Sequence, residues 1–511
     1  MLLKFTSGSV NLIDGFRDFL MRNKTLLILS SALITGMSLR FYNLMYFSHM
    51  TADECVYTQA VFAMTKGYLP YRDIFIAHPL VHFLIEYPFI RVYPNLLMAR
   101  STSVILSFGT LLLVFYIAKS LYSSNVAMFA TGFFALSPYA IYYNKLAIVD
   151  NTALFFTMLL FYYFFKYYKG GNIKYLLLSG FFAGVAFLSK YTVVFMMVAL
   201  MFFIAVKSLK KLIFFIVSAS IVPSAFFSLL FLTGIHHQWY VQTVSLQLIR
   251  LSYPLSLKMW EFGIYLAWIL PLFILAIPAM YYRKTKEDTL LTLLYIFPFL
   301  IILGKVFSAY YLLILTPILC ILATRGLDHY FTRPKESTKR KVLVIILMIF
   351  LVHFIISSTM FMGSPQTESA VRSKIVAADY IRGITEEGDK IWTTEADISF
   401  FAQRLIVAPN STIWRYQGFY EDVWGYIRIQ YVGQFAGYHG GLITLNDIQE
   451  ALENEKPKVV VIMKNKLTDM FIWDGIDNPD YKEEGLASYI LANYYLDNNF
   501  HNGAIEIYVR R

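Results

Sequence analysis

The chain has 511 residues, 58% of them hydrophobic and only 15% charged, with a formal net charge of +11. That is too apolar for a soluble enzyme and fits a polytopic membrane protein. Its two cysteines, Cys55 and Cys320, lie in different segments and imply neither a disulfide framework nor a cysteine metal site.

Residues 1–24 are a short basic segment with Lys4, Arg17, Arg22 and Lys24. A hydrophobic run from Thr25 to Phe47 follows and is long enough to span. It reads as an uncleaved anchor rather than a signal peptide. Further apolar runs lie at about 100–118, 126–142, 151–166, 175–189, 191–206, 212–233, 262–282, 290–304, 306–324 and 341–361. Eleven spans are expected. With the N-terminus inside, the inner segments carry 20 Lys and Arg and the outer loops nine. Positive charge favours the cytoplasmic side, so a cytoplasmic N-terminus at the plasma membrane is expected. An odd span count then puts the C-terminal region outside.

The first outer loop, about 48–99, contains TADECVYTQAVFAMTKGYLPYRDIFIAHPLVHFLIE and is expected to form interfacial helices. After about residue 363 the texture changes. EGDKIWTTE, KPKVVVIM and IEIYVRR read as strands. SAVRSKIVAADYIRGI, LNDIQEALENE and LASYILANYYLD read as amphipathic helices. Alternating helix and strand predicts a small α/β domain over 363–511, behind a transmembrane domain over 25–362. Residues 363–511 hold 14 Lys and Arg against 21 Asp and Glu, whereas the first 362 hold 30 against 12. The basic part does not require nucleic acid. Cytoplasmic loops and an anionic lipid substrate both account for it.

Ionisable residues near lipid need a reason. Asp53 and Glu54 start a helix. Thr51 and Glu54 fit a capping box, which is a purely structural role. A helix start would also hold Asp53 rigidly as a general base. Asp150 fits an N-cap and lies on the same expected face as Asp53. Lys190 stands between two apolar runs, where snorkelling is the bland explanation. Arg40 lies within the first span and needs an anionic partner, either an acid or a lipid phosphate. Lys305 raises the same question. His78, His82 and Glu86 have i, i+4, i+8 spacing, which suits a divalent metal or a polar interfacial stripe. Tyr310 and Tyr311 read first as interface belt.

Arg40, Asp53-Glu54, Gly67 with Pro70-Tyr71, His78-Pro79-Leu80 and Arg100 together form a pattern. It resembles the N-terminal signature of GT-C membrane glycosyltransferases, especially the protein O-mannosyltransferase and aminoarabinose transferase family. SPYAIYYNKLAIVDNTALFF, LSGFFAGVAFLSKYT and GKVFSAYYLLILTPILCILA resemble later segments of that family, over about residues 30–325 in all. The chain departs by having His78-Pro79-Leu80 where the family has Lys before two prolines. Lys145 stands near the place of a usual Arg. The nearest match to the oligosaccharyltransferase Trp-Trp-Asp-x-Gly motif, Ile472 to Gly475, lacks a Trp and the spacer and reads as a turn.

The resemblance implies a GT-C fold with about eleven transmembrane helices and a polyprenyl-phosphate-linked sugar donor. It also implies an extracytoplasmic acceptor on protein, lipid or glycan. Asp53 is the implied base, with Glu54 and Asp150 as further catalytic candidates. Lys190, Arg40, His78, Lys305 and Arg100 are candidate donor-phosphate partners. Tyr57, Tyr71 and Tyr311 are candidate substrate contacts. No cofactor is required, and a divalent metal stays open through His78, His82 and Glu86. Rival readings are a lipid or sugar-lipid transporter and an inactive scaffold of the same fold.

Overall fold

The computed structural model describes residues 24–74, 76–245, 248, 253–283, 285–332, 336–393, 396–407, 445–463 and 486–511. Helix α1 (Lys24–Phe41) leads into a long connection that holds α2 (Ala52–Thr65) and α3 (Val81–Val92). Then follow α4 (Leu96–Leu121), α5 (Ser124–Ala135), α6 (Pro138–Lys145), α7 (Val149–Gly170) and α8 (Ile173–Phe187). After a 3-10 turn (Tyr191–Val193) come α9 (Val194–Lys207), α10 (Leu209–Leu232) and the short α11 (His236–Tyr240). The membrane part closes with α12 (Leu255–Tyr282), α13 (Lys286–Ile296), 3-10 segments Phe297–Leu303 and Ala309–Leu315, α14 (Thr316–Thr332) and α15 (Glu336–Met362).

Sequence sets these boundaries. Asn95 caps α4 through Met98 N–H, and Ser208 caps α10 through Lys211 N–H. Gly171 ends α7 at φ 70°, a left-handed conformation that glycine adopts without a Cβ penalty. Pro138 opens α6, and α5 and α6 meet at 59°. Close approach sets the rest. A Cβ on Gly184 of α8 would lie 2.4 Å from the Ala219 carbonyl oxygen of α10. Small residues let two membrane helices pack backbone to backbone.

Among the described residues, five helical segments are long and apolar enough to cross a membrane, or six with α5 and α6 as one bent span. Three more apolar helices have 10–17 residues. This does not confirm the eleven expected spans; several of the runs fold as helices too short or too bent to pass alone.

The C-terminal α/β domain contains α16 (Pro365–Ile384), β1 (Lys390–Thr393), α17 (Ala396–Ala402) and β2 (Leu405–Ile406). It continues with α18 (Leu445–Glu455), β3 (Val459–Met463), α19 (Leu486–Asn493), β4 (Tyr494–Phe500) and β5 (Ile505–Arg510). Strand order is β2-β1-β3-β5-β4, with β1 parallel to β2 and β3 and β5 antiparallel to β3 and β4. One expectation fails here. The helix read in LASYILANYYLD stops at Asn493, and Tyr494–Phe500 form a strand. His501, Asn502 and Gly503 all have positive φ, making the tight turn that folds β4 back on β5. The Ile472–Gly475 stretch lies outside the described residues.

The domain sits on α2. Gln59 donates to Ser399 Oγ at 2.8 Å, Lys66 pairs with Glu387 at 2.6 Å, and Phe62 packs edge-on against Phe400. One apolar core runs from Ala60 and Phe62 through Trp392 to Val460.

Candidate active site

Thr51 caps α2 by accepting from Glu54 N–H at 3.2 Å. The reciprocal half of the expected capping box is missing, because the Glu54 carboxylate faces the other way. It takes Arg100 Nε and Nη2 at 2.8 Å each and Ala147 N–H at 2.9 Å. Arg100 also donates to the Leu44, Met45, Ser48 and His49 carbonyls. Both side chains are fully buried. Glu54 and Arg100 therefore bolt α2 to α4 and to the α6–α7 connection. Each side chain is taken up by the other and by backbone groups.

Arg40 corrects a second expectation. Its partners are neutral: the Gly36, Phe134 and Ala135 carbonyls and Asn144 Oδ1, at 3.0–3.3 Å. The end of α5 supplies the Phe134 and Ala135 carbonyls, and a helix C-terminus favours a cation. Arg40 has no exposed surface. Lys145 is spent likewise, on the Tyr42 and Phe361 carbonyls at 2.7 and 2.6 Å.

Asp53, one residue before Glu54, points elsewhere. Tyr310 Oη donates to Asp53 Oδ2 at 2.7 Å. Tyr310 stacks edge-on with Tyr311, ring centroids 4.9 Å apart. Lys190 Nζ lies 3.9 Å from the Tyr311 centroid and 5.2 Å from that of Tyr310. The same ammonium pairs with Asp150 Oδ1 at 2.6 Å. Asp150 is not the N-cap of α7, which is Ile148; it sits in the first turn. Its Oδ2 is buried with no hydrogen-bond partner. Residues from α2, α7, the end of α8 and the start of the Ala309–Leu315 segment thus converge at one end of the bundle.

Glu261 of α12 accepts from Ala309 N–H at 2.8 Å, which fixes the segment that carries Tyr310 and Tyr311. Tyr57, one turn after Asp53, packs edge-on against His78, His82 and Phe83. Lys305 donates to the Leu248 carbonyl from an exposed loop. Tyr71 is buried, and its hydroxyl goes to the His78 carbonyl at 2.9 Å. It braces the loop rather than facing a substrate.

The three-residue metal reading does not hold. Helix α3 begins at Val81, so His78 lies outside it and cannot share its face. No group of three His, Cys, Asp or Glu side chains poised around a metal occurs among the described residues. His82 instead bonds Thr152 Oγ1 at 2.9 Å. Its Nε2 lies 3.1 Å from Glu86 Oε2, an ion-pair distance without hydrogen-bond geometry. Burial holds the Glu86 carboxyl above its ordinary range, and His82 pulls it partway back.

Comparison with known proteins bears on the fold. Residues 77–231 match the family model described as dolichyl-phosphate-mannose-protein mannosyltransferase. No curated protein sequence matches the chain. ArnT from Cupriavidus metallidurans, crystallised with undecaprenyl phosphate, superimposes at TM-score 0.66 and 12% identity over 94% of this chain and 97% of ArnT. The archaeal oligosaccharyltransferase AglB from Archaeoglobus fulgidus, in complex with an inhibitory peptide and a dolichol-phosphate, gives TM-score 0.55 and 13% identity. That match covers 96% of this chain and 75% of AglB. The fold is that of a GT-C glycosyltransferase.

Within this GT-C frame, sequence reading missed Tyr310 and Glu261. Paired tyrosines at a span end normally sit in the aromatic belt, which masks Tyr310 in the sequence. The available signal was its place in GKVFSAYYLLILTP, close behind Lys305 and at the same end as Asp53.

Proposed function

We propose that the chain is an inverting glycosyltransferase that moves a sugar from a polyprenyl-phosphate donor to a hydroxyl or amine acceptor. The observation that carries the reading is the joined constellation of Asp53, Tyr310, Tyr311, Lys190 and Asp150. A base and a cation at one membrane-facing end are what the reaction needs.

Asp53 accepts the acceptor's proton as its oxygen or nitrogen attacks the anomeric carbon. The bond from that carbon to the phosphate oxygen breaks, and the electron pair leaves on the polyprenyl phosphate. Lys190 neutralises that departing charge, as a prepositioned cation can in a partly dry site. Attack opposite the leaving group inverts the anomeric centre. Tyr310 fixes the rotamer of Asp53. Asp150 sets the position of Lys190, and its unpartnered Oδ2 can accept a hydroxyl from either substrate. The charges sit at helix ends rather than midway along α7, and so favour this reading over a transport site, which usually lies near the midplane.

The test incubates purified protein with a panel of polyprenyl-phosphate sugars and measures released polyprenyl phosphate. Release that depends on Asp53 supports the reading. Transfer that survives Asp53→Asn unchanged removes Asp53 as base.

A further inference from the structure

The end of the bundle opposite Asp53 carries a second charged cluster that the proposed reaction does not use. Helix α7 starts beside the site at Asp150 and runs 22 residues, about 33 Å at 1.5 Å per residue. Its far end holds Lys166 and Lys169. Helix α8 starts there with Lys174 and returns to Lys190. Helix α9 leaves Lys190 and ends in Lys207, and α10 opens at the same level with Lys210 and Lys211.

Two features separate this corner from a scatter of surface lysines. First, the chain has no Asp or Glu between residues 151 and 260. The nearest acid that meets the cluster is Glu287 of α13, which pairs with Lys169 at 2.7 Å. Second, the ammonium groups are seated on rings. Lys166 Nζ lies 4.8 Å from the Tyr162 centroid and 5.1 Å from that of Tyr175. Lys207 Nζ lies 4.3 Å from Tyr168 and 4.4 Å from Phe203. Lys211 Nζ lies 5.6 Å from Tyr167. Such contacts hold a cation in place while leaving its outer side to an anion. At the α9–α10 turn, exposed Val206 and Leu209 flank Lys207 and Lys211. Fixed cations beside exposed aliphatic surface match a phosphate headgroup with acyl chains below it.

We propose that the corner formed by Lys166, Lys169, Lys174, Lys207 and Lys211 is a binding surface for anionic phospholipid of the leaflet opposite Asp53. Occupancy ties the ends of α7 to α10 together. It bears on the site only through the far ends of α7 and α8, so its test is independent of sugar transfer.

The full chain, purified in detergent, is titrated by native mass spectrometry with phosphatidylglycerol and with phosphatidylcholine of the same acyl length. Phosphatidylglycerol should bind at least tenfold tighter and lose affinity as salt rises, since exposed charges are screened. Lys207→Gln with Lys211→Gln should weaken it roughly tenfold or more. Lys66→Gln with Arg72→Gln, an equal loss of two charges at the opposite end, should not. Equal affinity for the two lipids, no salt dependence, or an unchanged double variant overturns the proposal. So does full competition by millimolar inorganic phosphate, which would assign the cluster to a free anion.

Discussion

Glu54→Gln and Asp53→Asn separate the two neighbouring acids. Glu54 is fully buried, and both its oxygens face Arg100 at 2.8 Å. Glutamine keeps the size, removes the charge and turns one oxygen into an amide donor aimed at a guanidinium. Arg100 stays buried without its counter-charge. Breaking a buried pair from one side costs roughly 3–5 kcal/mol. At about 2 °C per kcal/mol, the scale for large domains, the unfolding midpoint should fall by roughly 6–10 °C. Asp53 is only half-buried, and its carboxylate accepts from Tyr310. Asparagine there should shift stability by about 1 kcal/mol. Sugar transfer should respond in the opposite sense. Loss of a general base costs about 10²–10⁴ in rate, so Asp53→Asn should be nearly inactive at near-normal stability. Glu54→Gln should keep transfer per folded molecule within about tenfold, since the change leaves the reacting groups in place. Thermal unfolding in detergent and polyprenyl-phosphate release, normalised to folded protein, measure both. A stable but inactive Glu54→Gln beside an active Asp53→Asn would move the base to Glu54 and refute the assignment.

Tyr310→Phe keeps the ring over Lys190 and deletes one hydrogen bond to a carboxylate, worth about 1.5–3 kcal/mol. Transfer should fall by roughly ten- to a hundredfold with an unchanged donor Kd; unaltered turnover would show that Asp53 needs no such orientation. Asp150→Asn and Lys190→Met should each destabilise by about 3–5 kcal/mol, whereas the double variant should recover most of that and still fail in transfer. A double variant as unstable as the sum would show that the pair is not the connection between α7 and α8. Glu86 gives a pH signature, since burial raises its carboxyl in the folded protein. A raised folded value means the stabilising protonated form is fully present below the unfolded carboxylate range and lost as pH rises through the folded value. Glu86→Gln mimics that form, so its unfolding midpoint should gain on the unchanged protein as pH rises above about 4.5. A difference that stays flat with pH would sink the argument.

Fold class was legible because composition and run length speak directly to lipid solubility. The α/β texture after residue 363 was legible from its switching periodicity. Span count was not, since Pro138 and the short α8 and α9 depend on how neighbours pack. At the site, Asp53, Asp150 and Lys190 stood out because each is a charge that apolar surroundings penalise. Arg40 stood out for the same reason and Arg100 through the family resemblance, and both are held by buried protein partners. Cost alone cannot distinguish a cation saved for a ligand from one satisfied by carbonyls. Only the positions of the Phe134, Ala135, Leu44 and Ser48 carbonyls decide that, and no local pattern encodes them.

The same logic explains what the C-terminal domain does for the site. Asp53 is useful only if α2 holds still relative to Lys190. On its lower side α2 is fixed by Glu54 to Arg100 and Ala147. Along its length it is fixed by Gln59 to Ser399 and Lys66 to Glu387, across more than 300 residues of sequence. The Lys66 pair is too exposed to matter much. The buried Gln59 bond and the shared apolar core are therefore what couple the domain to the acid. A carboxylate placed by two remote parts of the chain can be held to the tolerance that proton transfer demands, which a loop alone could not provide.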